Sequence, residues 1–268
     1  MGATVRKWRA VFTIFLQETL VYRAQAVIWI LTDLVVSITM PLVWASASAA
    51  RTGTIAGFTT SDFVLYYLCL LLLGCFITSH IMWELAMEIK EGQFSATLIR
   101  PMSFFQFTFF RNLTWRIVRF ALCIPIFGVL LFIYRGYLSE AQVYLGWEFW
   151  VSVVLGHLVS FTVVYMLAML ALFFQETQSI FELYYVPMLF LSGQLFPVAV
   201  LPAWAQGLAK VFPFYFTTGA PTEILIGRLS GPDAVQAIAI QVAWIVAAYG
   251  MGRVMWRFGL RYYTGVGM

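Results

Sequence analysis

The side chains best placed to act on another molecule stand in one polar connection, MEIKEGQFSATLIRPMSFFQF, which joins two long apolar runs between Met87 and Phe107. Glu88, Lys90 and Glu91 lead out of the preceding run, and Gly92 interrupts any helix they continue. From Gln93 to Ile99 there is room for two turns, with Phe94 and Leu98 at i and i+4 on one face. Pro101 disfavours helical geometry at Arg100 and stops the turn. The chemistry available to such a unit is recognition: a short amphipathic knuckle with apolar anchors and a charged rim suits a groove in a partner protein. The same spacing also fits a surface loop whose Phe94 and Leu98 dip into lipid headgroups.

Ionisable residues inside apolar runs are the second set of candidates, because a charge in lipid is expensive to keep. Asp33 lies about three turns into the first run, as a hydrated acid or as an attractor for a cationic substrate. Glu182, near the start of the fifth run, is interfacial or part of a pathway. Arg116 and Arg119 sit three apart on one helical face, where they can snorkel to the surface or pair with Glu84 or Glu88. His80 and His157 read as hydrogen-bonded interior histidines. Covalent chemistry lacks its usual patterns, since the chain holds no D-x-x-x-D, H-E-x-x-H or G-x-S-x-G. Cys69, Cys75 and Cys123 lie in apolar runs without C-x-x-C spacing and read as small hydrophobes rather than disulfides or metal ligands.

The elements that must position these groups follow from composition. Of 268 residues, 62% are hydrophobic and only 10% charged, against about a quarter charged in soluble domains. Aromatics reach 18%, as expected when rings anchor helices at both membrane interfaces. The net charge of +4 reads as basic flanks of membrane helices and lipid contact, so no nucleic-acid partner is expected. A bilayer core takes about 20 apolar residues per helix. That predicts an all-α polytopic protein with a single membrane domain over 1–268. Its parts are an interfacial helix at 5–23 and spans at 24–49, 62–86, 112–134, 146–174, 179–193 and 234–252. The segment 87–107 lies between the second and third. The mixed charge of the first twenty-odd residues argues against a cleavable leader.

Between 179 and 216 a run of prolines and Gly193 forbids one straight helix. The fifth span therefore ends near Gly193, and 194–216 is re-entrant or interfacial. Gly193, Phe196, Pro197, Pro202, Trp204 and Pro213 are its gate candidates. Broken backbone at that depth must be buried in protein or line a wet cavity.

Orientation rests on Lys and Arg alone. One side holds Arg6, Lys7, Arg9, Arg23, Lys90, Arg100, Arg111, Arg116, Arg119, Arg253, Arg257 and Arg261, twelve in all; the other holds Arg51, Arg135, Lys210 and Arg228, four. Both termini and the segment 87–107 are thus expected in the cytoplasm.

The run E-G-x-x-x-x-x-L-x-R-P from Glu91 to Pro101 resembles the cytoplasmic loop of ABC-2 type exporter permeases. T-I-A-G-F at Thr54–Phe58, leading to Tyr66 and Tyr67, resembles a small six-span subgroup. L-S-G-x-x-F-P at Leu191–Pro197, followed by Pro202, Trp204 and Pro213, resembles that family's fifth span and outer re-entrant helices. The chain departs at Phe94 and Ser95, where the subgroup often carries an aspartate. The resemblance implies a bacterial inner-membrane permease subunit working as a dimer, with a second permease chain favoured over a second copy, beneath cytoplasmic ABC ATPase subunits. Relatives export drugs, amphipathic cations such as viologens, or lipid-linked products. It also implies that Glu88, Glu91, Gly92, Phe94, Leu98, Arg100 and Pro101 couple to the ATPase. With no G-x-x-x-x-G-K-[ST] in the sequence, ATP and Mg would be bound by that partner and no cofactor by this chain. The competing classes are a secondary transporter, which lacks a visible repeat here, and a membrane-embedded lipid-modifying enzyme.

Overall fold

A computed structural model describes residues 2–49, 54–139, 141–174 and 177–263. Residues 51–53 of the expected outer loop and 175–176 of the expected tight turn lie outside the described residues. The order is α1 (Gly2–Val21), α2 (Arg23–Ala49), α3 (Thr60–Ile77), α4 (Ile81–Lys90), α5 (Phe94–Leu98), α6 (Phe104–Tyr134), α7 (Trp147–Ala168), α8 (Gln178–Leu191), α9 (Ala203–Val211), α10 (Gly219–Leu225) and α11 (Gly231–Tyr262). No strand occurs among the described residues; Ile55 and Phe58 form one isolated bridge.

Among the described residues, five helical stretches are long and apolar enough to cross a membrane: Arg23–Ser48, Thr60–Lys90, Phe104–Tyr137, Trp147–Leu172 and Gly231–Tyr262. Burial divides them. The second and fourth are 72% and 67% buried, whereas the first, third and last are 22–28% buried. The α3–α4 pair and α7 thus form the centre, and α2, α6 and α11 surround it, turning Ile28, Trp29, Val35, Val129, Phe132 and Val246 outward. Apolar faces of this kind suit lipid or a second subunit better than water.

Two core clusters hold the ends of the bundle. One joins Phe58, Phe63, Tyr66 and Tyr67 to Phe149 and Ile224. The other joins Ile81, Leu85, Phe94, Phe104, Tyr165 and Phe181, with Trp256 and Tyr263 packed against it. α1 lies along α6, where Trp8 stacks on Phe110 at 4.8 Å and Phe15 meets Phe107 at 5.0 Å.

Several elements differ from the expected spans. α6 starts at Phe104 rather than 112, because Ser103 caps it with Oγ accepting from Gln106 N–H at 3.3 Å. α11 continues to Tyr262, past the basic residues that suggested its end at 252. α8 has 14 residues, about 21 Å at 1.5 Å each, short of a bilayer core of about 30 Å. The expected second span is two helices with residues 78–80 between them.

Candidate functional site

Residues 78–80 are Thr-Ser-His, a polar triplet inside a leucine-rich run, and the backbone there leaves the helix. Several of its polar groups find partners. Thr78 N–H donates to the Gly74 carbonyl at 3.1 Å, and Ser79 N–H donates to Ser160 Oγ at 2.8 Å. The Phe76 carbonyl meets His157 Nδ1 at 3.1 Å. His157 and Ser160, at i and i+3 on α7, therefore hold the break open from one face. On the other side Ser79 Oγ donates to Asn112 Oδ1 of α6 at 3.2 Å. α3 and α4 are thus two helices meeting at a break whose polar groups are held by α6 and α7.

The break opens on a cleft of about 640 Å³ between α1, α2, α4 and α6. Asp33 of α2 makes a hydrogen-bonded ion pair with Arg119 of α6, whose Nη2 also approaches the Trp29 carbonyl at 3.5 Å. Asp33 is therefore neutralised by a neighbour and is no free acid waiting for a cation. Glu88 does pair with an arginine, but with Arg111, which also lies 3.7 Å from Glu84. Pairing of these acids with Arg116 or Arg119 was one of two expectations, the other being that the two arginines snorkel. Those two are displaced because the arginine one turn nearer the end of α4 reaches them first. Arg116 also lines the cleft, 2% exposed, with Nε and Nη1 lacking any acceptor among the described residues.

The segment after α4 folds as a knuckle. α4 ends at Lys90, and Gly92 has φ +77°, a conformation glycine adopts without penalty. α5 has only five residues. Phe94 is fully buried against Phe104, Trp256 and Tyr263, with centroids 5.1, 5.7 and 5.1 Å away. Thr97 is buried beside it. This corrects the expectation that Phe94 and Leu98 present one outward face: the aromatic pocket takes Phe94 inward, leaving Leu98 38% and Ile99 85% exposed. Glu88 is likewise turned inward by Arg111. Glu91 is exposed and accepts from Gln93 Nε2 at 3.0 Å. Arg100 lies 4.4 Å over the Phe107 ring, and the Pro101 carbonyl accepts from Lys7 Nζ at 2.8 Å, which ties the knuckle to α1.

At the opposite end α8 stops at Leu191 and Gly193 turns with φ +86°. Tyr66 Oη donates to the Gly193 carbonyl at 2.8 Å, and Tyr67 Oη donates to the Leu195 carbonyl at 2.9 Å while accepting from Trp44 Nε1. Phe196 packs at 6.4 Å from Trp44. Pro197 leads into a single turn at Val198–Val200, Pro202 opens α9, and Pro213 is buried. Trp204 on α9 is 71% exposed. Glu182 is exposed on α8 and accepts from Gln178 Nε2 at 2.8 Å; it does not line the cleft, although Tyr185 of the same helix does.

Beside this turn Tyr215 Oη donates to Glu223 Oε2 at 2.6 Å, and Oε1 of Glu223 is buried without a partner. Burial pushes the Glu223 carboxyl above its ordinary range. A carboxyl raised on folding holds its proton better in the folded state. Its stabilising contribution is complete below the unfolded pKa and drains away as pH rises through the folded one. Glu223→Gln should therefore melt at a higher temperature than wild type at alkaline pH and lose that advantage in acid, read by thermal unfolding across the range.

The structure brings together Asp33, Arg119, Arg116, Asn112 and the break at 78–80, and keeps Glu182 apart from them. Ser79, Ser160 and Asn112 escaped the sequence argument. Their signal was the polar triplet in an apolar run and the i, i+4, i+7 spacing of Asn112, Arg116 and Arg119. No group of three or more His, Cys, Asp or Glu among the described residues could hold a metal, and Cys69, Cys75 and Cys123 are free and buried. Compared with known protein families, the chain matches the model described as ABC-2 family transporter protein over residues 23–267. No curated protein and no solved structure matches it.

Proposed function

The chain belongs to the ABC-2 family of transporter proteins, and from that premise we propose that it is the permease of an exporter driven through the knuckle at 87–107. It is a multi-pass membrane subunit of a family that works with ATPase subunits. In the proposed assembly both termini and the knuckle face the cytoplasm of a bacterial inner membrane. α8 and the broken segment after it together make the fifth of six crossings. A separate ABC ATPase binds ATP and Mg, and a second permease chain covers one of the exposed apolar faces. The cargo is amphipathic or hydrophobic.

The observation that supports this reading is the division of labour within α5. Its inner face, Phe94 and Thr97, is clamped to α6 and α11, while Leu98, Ile99 and Arg100 project outward. A partner gripping the outer residues moves the clamp, and the clamp moves α4 about the joint at 78–80. The second span then works as a hinged arm rather than as a rigid rod. Closure of the ATPase would bias a two-state bundle in this way.

Leu98→Asp with Ile99→Asp tests it in the assembled complex. Both side chains are surface groups, so the melting temperature should hold, with a stability change within about 0.5 kcal/mol. Cargo-stimulated ATP hydrolysis should fall to the unstimulated rate. Full stimulation in the double variant would remove the knuckle from the coupling path.

A further inference from the structure

On the floor of the cleft between α2, α4 and α6, the buried side-chain atoms left without a partner are all donors. Asn112, Arg116 and Arg119 lie at i, i+4 and i+7 on α6, a single stripe facing the break. Nδ2 of Asn112, Nε and Nη1 of Arg116 and Nε of Arg119 are all buried with no hydrogen-bond partner. Arg119 spends its charge on Asp33 and Arg111 on Glu88, but no acid lies within ion-pair distance of Arg116 among the described residues. The other acids lining the cleft, Glu18 and Glu84, are exposed at its rim, where water screens them. A buried guanidinium without a counter-charge is costly to keep, and an anion is what relieves it. The walls carry Trp29, Trp83 and Trp115, and α1 closes one side through Glu18 and Thr19. At about 640 Å³ the cleft falls within the roughly 300–1,000 Å³ typical of small-ligand sites.

We propose that this cleft binds the phosphate headgroup of an anionic amphiphile, with Arg116 as its anchor, Arg119 and Asn112 as further donors, and the tryptophans along its tail. Guanidinium groups pair with phosphate oxygens through parallel N–H donors, a geometry a point charge does not match. The proposal rests on the exporter reading only in treating this ligand as cargo. The binding itself needs no ATPase, so a failed coupling experiment and a failed binding experiment are separate results.

The test uses purified full-length protein in zwitterionic nanodiscs, with tryptophan quenching by a phosphatidic acid brominated in its acyl chains. Brominated phosphatidylcholine with the same chains and soluble glycerol phosphate are the other arms. Phosphatidic acid should quench saturably, phosphatidylcholine should bind at least about tenfold more weakly, and glycerol phosphate should fail to displace the lipid. Displacement by glycerol phosphate at the lipid's own concentration would replace the amphiphile with a water-soluble phosphate and overturn the assignment. Arg116→Gln should weaken binding about tenfold or more, whereas Arg257→Gln on the exposed end of α11 should not change it. Asp33→Asn should tighten binding about threefold, because it frees Arg119 for the anion. That gain cannot come from misfolding, so it decides the matter even if Arg116→Gln does not fold. Weaker phosphatidic acid binding in Asp33→Asn, together with saturable quenching by a brominated quaternary ammonium amphiphile, would make the cleft a cation site and sink the proposal.

Discussion

Replacing Phe94 by alanine should cost about 3–5 kcal/mol, the range for emptying a fully buried aromatic site, and should loosen the whole knuckle. The ring is 0% exposed and meets Phe104, Trp256 and Tyr263 edge-on. Each such aromatic pair is worth about 0.5–1.5 kcal/mol beyond the area it buries. Its three partners come from the start of α6 and from α11 with the residue after it, so one side chain ties the knuckle to two helices that already meet through the stacked Phe104 and Trp256 rings. The loss should appear as a lower melting temperature and as faster hydrogen exchange in the backbone of residues 91–100 than in wild type. Leu98→Asp with Ile99→Asp should show neither change. If Phe94→Ala melted like wild type and lost only its stimulation by the partner, Phe94 would be an outward anchor and the packing described above would be wrong.

That contrast shows where local spacing informs and where it stops. Placing Phe94 and Leu98 on one stripe follows from helical geometry, but the direction that stripe faces depends on residues some 160 positions away in sequence, Trp256 and Tyr263. The charged groups carry the same lesson. Arg116 and Arg119 had Glu84 and Glu88 as near acids in sequence, yet Arg119 pairs with Asp33 across a separation of 86 residues. What places it there is the packing of α2 on α6, which no local pattern records. Long apolar runs were legible because lipid imposes a length, and α2, α6, α7 and α11 all lie where such runs stand. Their ends were less so: a helix need not stop where the membrane does, and α6 begins in the Phe-rich stretch 104–111 while α11 continues into basic sequence. The break at 78–80 escaped because average hydropathy ignores three residues whose polar groups are satisfied by neighbouring helices.

The two largest clusters divide the helices between them. The cluster around Phe94 and Tyr165 takes its buried residues from α4, α5, α6, α7, α8 and the turn Met169–Leu172; the cluster around Tyr66 and Phe149 takes its own from α3, α7, α10 and α11, with Phe58 and Ile226. Among the described residues only α7 contributes buried residues to both. Packed cores switch between arrangements more readily than they deform. In the proposed mechanism a push at the knuckle would reach the far end through α7 and through the break beside His157 and Ser160.

Gly193→Ala should be strongly destabilising at that far end, and Tyr66→Phe should partly rescue it. A Cβ at Gly193 would stand 2.3 Å from Tyr66 Oη, while the next atoms, Gly219 Cα and Tyr66 Cζ, lie at 3.5 and 3.7 Å, ordinary contact distances. The φ of +86° adds a left-handed penalty of about 1–2 kcal/mol for alanine. Tyr66 is itself 0% exposed, so its ring has no free space to retreat into, and moving it forfeits the bond to the Gly193 carbonyl. A buried carbonyl left without its donor costs about 1–3 kcal/mol. Gly193→Ala alone should therefore lose about 3–5 kcal/mol. Tyr66→Phe alone should lose about 1–2 kcal/mol, since only the hydrogen bond goes. In the double variant the hydroxyl that clashes is gone, so the two losses should fall short of their sum by about 1–2 kcal/mol, a coupling that thermal unfolding of the four proteins can resolve. Strict additivity would mean that the tyrosine and the turn do not touch. The end of α3 that carries Tyr66 would then be free of the turn after α8.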